Sequence, residues 1–559
     1  MSDDTKGLID IGATKIKDVE AKIEGGKIAY TELSSIAGVT NDTIKSVTVT
    51  KVGESISGKD AIYGTIEHED EAVASKDFTI SDLSLTLTGT GNLVSYTNTT
   101  DGKKVPTLST IKFTTADSEL VTTGEGAQIG QVGDSDQNGS LYVKSGDLTA
   151  NGSVTINSLE VESGAKLSIA DDKDGNGYAV TTGDASNEAT ALISGELAAA
   201  NSDVTFGSTA MASYDADGAV SSFGYVNKVT GKLAAKTLTL KGDTLVAQGG
   251  TVEAGKLDAT GKTVFVGDSA SAGSLSVGEL TAGSIYADPT WKEDGSAAAV
   301  SLVAVKKAAA TGASVEADRS SIVSVGTNDV TAGTAAFAKT GFTLAKTDAA
   351  KKEYSINTKT VNSVVYAEGA QYAGAVLADG NGTKDTVNGV TIGTNSMLLI
   401  DATKVDATGE KSVFVQGVNM ADNSVLYVDN VKNGDKISLS AAASKIGGKL
   451  VHEGDLLMGA NEADREKGVL SFEMEDHADL AKSGITGAGF GVIYAMYENG
   501  ENVGNDNAVF FRNLVSTQTS AAYQQFSNGK YEWNTQTLNT ILNDVAAIGA
   551  TTGAQAVTM

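Results

Sequence analysis

Cysteine is absent from the 559 residues, which excludes disulfides and any thiolate-held metal. In a large chain that must cross a narrow secretion pore unfolded, premature disulfides would be a handicap. Proline occurs only twice, so almost every residue keeps the N–H that an interior sheet ladder needs. Aromatic residues make up 6%, too few for several conventional cores, yet the length is well beyond one such core. Histidine is limited to His68, His452 and His477. Positive charge is scarce, with 42 Lys and Arg against 70 Asp and Glu and a formal net charge of −28. Nucleic-acid binding needs a basic footprint, so this balance argues strongly against it, and it disfavours docking on anionic lipid headgroups. No stretch approaches the roughly 18 consecutive apolar residues of a membrane-spanning helix. The opening Met1-Ser2-Asp3-Asp4-Thr5-Lys6-Gly7 lacks the basic and apolar regions of a signal peptide. As given, the chain is therefore either cytoplasmic or a fragment, and features of its other end favour the fragment.

What the chain does have is glycine, at 64 residues, and a hydrophobic fraction of 40% supplied mainly by Ala, Val, Leu and Ile. That apolar content separates it from disordered chains. The clearest repeat lies between residues 141 and 170. Leu141-Tyr142-Val143-Lys144-Ser145-Gly146 recurs as Leu159-Glu160-Val161-Glu162-Ser163-Gly164. Val154-Thr155-Ile156 stands between the two copies, and Leu167-Ser168-Ile169 follows them. Each unit is a short strand in which two inward apolar residues flank one outward residue, closed by Gly or Asn-Gly. The texture continues through Leu238-Thr239-Leu240, Val264-Phe265-Val266, Leu275-Ser276-Val277, Met397 to Ile400, Val413-Phe414-Val415, Val425 to Val428 and Ile437-Ser438-Leu439. Repeats of about 18 to 25 residues with three short strands each predict a solenoid. Antiparallel sandwich strands are usually longer and joined by hairpins. The fold class expected is all-β, a right-handed parallel β-helix with an aromatic-rich C-terminal cap and a short C-terminal helix.

Four regions follow. Residues 1–130 form an irregular N-terminal part of the solenoid, with Ser46 to Val49 and Leu83 to Leu87 as strands and His68-Glu69-Asp70-Glu71 as a solvated loop. Residues 131–450 form the regular coils, within which the Ala- and Lys-rich stretch 305–320 predicts a loop excursion or a short helix. Residues 451–533 hold Phe472, Phe490, Tyr494, Tyr497, Phe510, Phe511, Tyr523, Phe526, Tyr531 and Trp533, a density suited to a cap that hides the last coil's open edge. Residues 534–559 change period. Leu538, Ile541, Leu542, Val545 and Ile548 fall on one helical face, with Asn534 or Thr535 as N-cap.

The order of Gly/Ser/Thr-rich coils, an aromatic-rich module and a terminal helix resembles the passenger region of type V bacterial autotransporters. In that resemblance the run from Thr537 to Ala550 corresponds to the linker helix that precedes an outer-membrane barrel, and the cap corresponds to an autochaperone-like module. The barrel itself, with its roughly 10-residue amphipathic strands, is missing. The resemblance implies a secreted chain displayed at the bacterial cell surface, attached to the membrane only through that missing barrel.

Candidate chemistry is sparse. Gly133-Asp134-Ser135 and Gly267-Asp268-Ser269 contain a Gly-Asp-Ser triplet, but a serine triad also needs a His base and an orienting acid. His68 stands too close before Ser135 for a chymotrypsin-like pair of barrels, and the following Gly is missing, so both triplets read as turns. Acidic pairs such as Asp171-Asp172 and Glu475-Asp476 read as solvated faces. Two loops match the opening of a calcium site, where alternate oxygen ligands precede a Gly turn. One offers Asp134, Asp136 and Asn138, the other Asp172, Asp174 and Asn176. Position twelve, which should be Glu, is Ser145 and Gly183, and Asp, Asn and Gly are also ordinary turn residues. No catalytic residue and no required cofactor is expected. The expected function is that of an adhesin or self-association protein whose flank meets host glycans, matrix or identical chains on neighbouring cells. A carbohydrate-active enzyme and a surface-layer-like structural protein are the alternatives.

Overall fold

The computed structural model describes residues 110–557 apart from short stretches, the longest being 288–299, 345–359, 378–388 and 406–416, and before residue 110 it describes the backbone of nine strands. The chain is mostly β, with a long parallel sheet consistent with a β-helix. Two compact units are present, one running to Gly267 with Ser271–Val277, the other comprising Gly278–Met559 with Asp268–Ala270.

In the first unit the strands fall into three parallel ladders that the chain visits in turn. One contains Val132–Gly133, Val154–Ile156 and Val180–Thr182. The second contains Ser140–Val143, Ser158–Val161 and Ala191–Ile193. The third contains Asp147–Ala150, Lys166–Ile169 and the start of Glu196–Phe206. Residue pairs one coil apart in these ladders are separated by 18 residues at Ser140 and Ser158 and by 21 at Ile129 and Ala150. Parallel pairing runs through all three ladders, which sets antiparallel sandwich modules aside.

The period-2 pattern produces this register. Shifting any strand by one residue would turn its apolar set outward. In the second ladder Val143, Val161, Ile193, Val229, Val246 and Val266 stack in one column, all fully buried. In the third, Leu148, Leu167, Leu197, Leu233 and Val252 form another. Each such side chain contributes about 1.5–3 kcal/mol of burial. Like-sized aliphatics repeat along each column, so each coil meets an interior nearly identical to its own.

Corners differ in hardness. Gly195 and Gly231 turn the chain from the second ladder to the third, and a Cβ on Gly231 would stand 1.9 Å from the carbonyl oxygen of Gly195. The corner from the third ladder to the first is softer. There the chain stays extended through the bend, so Glu196–Phe206 is a single strand serving two ladders and Thr251–Val266 one serving all three. The pattern had predicted only short separate strands.

The second unit is built on two parallel ladders. Ala313–Ala317, Ala375–Leu377, Val390–Ile392, Val418–Met420 and Lys445–Ile446 succeed one another in the first. Ser301–Val305, Ser321–Gly326, Ser363–Glu368, Met397–Asp401, Val425–Asp429 and Lys449–His452 succeed one another in the second. The stretch 305–320 departs from expectation. Ala313–Ala317 is a strand with Ala313, Val315 and Ala317 inside, and the helix lies farther on, at Val330–Lys339. Small residues at period 2 pack as readily as large ones when the neighbouring coil is close.

That helix, with the residues that follow it, covers the outer side of Met397–Asp401 and Val425–Asp429, which are buried on both faces. Ala336 and Phe342 join Tyr366, Leu399 and Tyr427 in an apolar cluster on the outer side of the ladder, with Phe342 set edge-on to Tyr427 at 6.1 Å.

Beyond residue 430 antiparallel pairing joins the last parallel strands. Lys436–Ser438, Val469–Met474 and Met458–Ala460 form a small sheet, and Tyr523–Gln525 and Tyr531–Trp533 a hairpin. The last helix, Thr535–Val557, is longer than expected. Asn534 caps it, its Oδ1 accepting the N–H of Thr537 at 3.0 Å, and Leu538 and Leu542 are fully buried. Asn539 reads the backbone of the facing loop. Its Oδ1 accepts from Thr486 and Gly487 at 2.8 and 2.9 Å, and its Nδ2 donates to the carbonyl of Gly484 at 2.7 Å. The expected strand Val413-Phe414-Val415 and the loop His68 to Glu71 lie outside the described residues.

Candidate functional site

The two calcium-like loops sit at different corners of the first unit. Residues 134–139 link the first ladder to the second, and residues 170–179 link the third to the first. They do not converge on one site. In the first loop Asp134 Oδ1 accepts the N–H of Asp136 at 3.1 Å, and Asn138 lies outside the described residues. In the second, Asp172 Oδ1 accepts from the N–H groups of Asp174 and Asn176 at 2.8 and 3.0 Å, while Gly175 takes a positive φ of 79°. The Asn176 and Asp174 amides hold the Asp172 carboxyl below its ordinary value. Among the described residues no group of three or more His, Asp or Glu side chains is gathered around a common point.

The acidic pairs have local structural partners. Asp171 accepts from Asn201 Nδ2 at 2.9 Å. Asp476 caps the helix His477–Lys482 through Ala478 at 2.7 Å and Asp479 at 3.3 Å. Ser135 occupies an exposed turn, and Ser269 and His68 lie outside the described residues. His477 is exposed and stacks beside Phe490 and Tyr494, each with centroids 4.9 Å away. His452 is buried, its Nδ1 at 3.0 Å from the carbonyl oxygen of Glu453.

The parallel register creates a surface feature that the sequence leaves scattered. Thr155, Thr181, Thr205 and Thr239 succeed one another along the outer side of the first ladder, all partly exposed. Their hydroxyls form a column with the strand spacing of about 4.8 Å. The other two ladders carry polar pairs between coils. Ser140 and Ser158 hydroxyls meet at 2.8 Å, and Lys166 pairs with Glu196 at 3.0 Å. Among the described residues, Val300 and Phe526 are the exposed large hydrophobics. Such a flank offers hydroxyls in a row.

A second concentration of polar groups lies inside the second unit, at the ends of its second ladder. Met397–Asp401, Val425–Asp429 and Lys449–His452 each finish in, or run directly into, an acid, so Asp401, Asp429 and Glu453 follow one another coil by coil. Arg512, from the helix Val509–Leu514, reaches this column with Nε at 3.2 Å from Glu453 Oε1. Asp455 accepts from the backbone N–H of Thr517 at 2.8 Å and from its hydroxyl at 2.5 Å. Ser516 accepts the N–H of Gly454 at 2.7 Å and donates to the carbonyl of Arg512 at 2.7 Å. Desolvation holds the carboxyls of Asp429, Glu453 and Asp455 above their ordinary values. It pushes the His452 imidazole down. Sequence reasoning did not single out this cluster. The available signal was the recurrence of a four-residue apolar run closed by an acid. The partner Arg512 is remote in sequence and carried no cue.

Comparison of the chain with protein-family models, with curated proteins and with solved structures found no match.

Proposed function

We propose that this chain is the passenger region of a bacterial autotransporter, displayed at the cell surface and acting as a non-catalytic adhesin or self-association protein. In this reading the parallel ladders are the walls of a right-handed β-helix, irregular over residues 1–130 and regular over 131–450. Residues 451–533 are the cap, and residues 534–559 are the helix leading to an outer-membrane barrel.

The observation that carries the reading is the threonine column Thr155, Thr181, Thr205 and Thr239 on a flank of regularly spaced polar groups. A column of hydroxyls at constant spacing suits repeated hydrogen bonding to the hydroxyls of a glycan or to the same column on another chain. Each contact is weak, so binding gains strength through many contacts at once. The excess of carboxylates repels identical chains at low ionic strength, and salt relieves that repulsion.

Beads coated with the chain should therefore bind cells, or one another, better than free monomer does, and more so as salt is added. Thr181→Glu with Thr205→Glu, which places two charges in the column, should abolish that binding and leave the fold intact. If a polysaccharide panel instead yields reducing ends, and one carboxylate substitution stops their release, the chain is an extracellular carbohydrate-active enzyme. If it forms an ordered two-dimensional array with no binding to cells, it is a surface-layer-like structural protein.

A further inference from the structure

Within the second unit, the carboxylates of Asp429 and Glu453 are both 5% exposed, and Arg512 is 2% exposed. In-register parallel pairing puts successive residues of the column about one strand spacing, ~4.8 Å, apart. Two like charges so close and so far from water repel strongly.

The local geometry shows how they are held. The backbone N–H of Asn430 is shared between Asp429 Oδ1 and Glu453 Oε2, both at 2.9 Å. Asn430 itself has a positive φ of 54°, a conformation that Asn tolerates better than most residues, and its side-chain oxygen accepts from Arg512 Nη1. Two carboxyl groups that accept the same N–H stand within reach of each other, and burial favours a proton on one of them. A carboxylate only accepts, so a bond between two of them requires a proton on one. Arg512 supplies one positive charge against two acids, and the shared proton accounts for the second.

We propose that Asp429 and Glu453 form a proton-operated fastener for the C-terminal segment that carries Arg512. With one proton held between them, the pair and the guanidinium are neutral together and the helix Val509–Leu514 stays docked. When the proton leaves, a net buried negative charge remains and the segment opens to let water in. No other chemistry is involved: the proton passes from the Glu453 carboxyl to solvent as the O–H···O bond breaks.

Further titratable groups stand around the pair. Asp401, on the preceding coil, is engaged by the N–H and hydroxyl of Thr403 at 2.9 and 2.7 Å. Asp455 is held by Thr517. Tyr427 and Tyr497 are buried beside the pair, and the carboxylates raise their hydroxyl pKa values further. Lys449 acts on Asp455. His452 faces Asp455 and is kept neutral by burial. The pair itself is pushed toward its protonated form by burial first.

The test uses the full chain, stepped from about pH 5 to about pH 9. Docking is read by Trp533 fluorescence and by limited proteolysis of the region after residue 480. Infrared difference spectra report a protonated carboxylic acid. The parent should open well above the ordinary carboxylate range and should show the protonated-acid band at neutral pH. Glu453→Gln keeps the shape and donates to Asp429 from an amide that has no proton to lose. It should remove the band and shift opening upward by at least about one pH unit, or abolish it. Asp429→Asn, which leaves Glu453 paired with Arg512 alone, should act in the same direction and serves if the first variant does not fold. The proposal is overturned if the parent lacks the band at neutral pH, or if both variants open at the parent's pH.

Discussion

Arg512 Nε lies 3.2 Å from Glu453 Oε1, with the two side chains only 3% and 6% exposed. An ion pair this deeply buried contributes little net stability compared with apolar residues of the same volume, but breaking it strands a charge. Arg512→Met should therefore destabilise the C-terminal region by about 3–5 kcal/mol near pH 8. The loss should shrink as pH falls, because burial favours the protonated forms of Glu453 and Asp429. Denaturant unfolding followed at Trp533 measures it, and a pH-independent loss would contradict the charge-stranding argument.

His452 and its acidic neighbours titrate with opposite signs. Asp429, Glu453 and Asp455 are raised from ordinary values of 3.8, 4.5 and 3.8. Their contribution to stability is thus complete below those values and is lost as pH rises through the raised ones. His452 is lowered from 6.5. Its contribution is present above that value and is lost as pH falls toward the lowered one. The two slopes therefore oppose each other where they overlap. His452→Gln removes the opposing slope, so stability should fall more steeply with rising pH between about pH 5 and about pH 6.5 than in the parent. Equilibrium unfolding at a series of pH values compares the two slopes, and equal slopes would contradict the assignment.

Two glycines separate crowding from backbone strain. A methyl group on Gly231 meets the Gly195 carbonyl at 1.9 Å, whereas one on Gly164, with a positive φ of 83°, meets nothing within 4 Å. Gly164→Ala should cost only the left-handed strain of about 1–2 kcal/mol. Gly231→Ala should cost about 3 kcal/mol or more, because two coils must separate to admit it. Melting curves of the two variants should rank in that order.

Calcium should bind weakly at residues 172–177, with a dissociation constant of about 10⁻⁴–10⁻³ M, as in extracellular modules. Asp172 Oδ1 is already drawn into the loop by Asp174 and Asn176, which orders the backbone around a single carboxylate. Calorimetry at millimolar Ca²⁺ should give heat that Asp174→Ala removes. The loop containing Asp134, Asp136 and Asn138 should behave alike, with Asp136→Ala as its control.

How much was legible depends on the range of the interaction. Leu141, Val143, Leu159 and Val161 announce their inward faces because a strand alternates every two residues, whatever lies around it. Asn534 announces the last helix because a cap is a local hydrogen bond. The helix Val330–Lys339 did not stand out, since its Ala- and Thr-rich sequence is no more helical than the strand Ala313–Ala317. Only the outer face of the ladder, with Tyr366 and Tyr427 needing cover, selects it. The threonine column was hidden by loops of unequal length, which put Thr155, Thr181, Thr205 and Thr239 at irregular intervals.

By itself the amino-acid sequence determined the strand-and-corner texture. Period-2 aliphatics, scarce proline and recurrent glycine allow short strands that turn sharply and pair without interruption, and all three act over a few residues. The tertiary structure decided which coil follows which, and with it every property that depends on register. Asp429 and Glu453 are ordinary strand-end acids in the sequence. They become a proton-sharing pair only because parallel stacking brings them together, burial removes the water that would screen them, and Arg512 arrives from a distant helix to meet them.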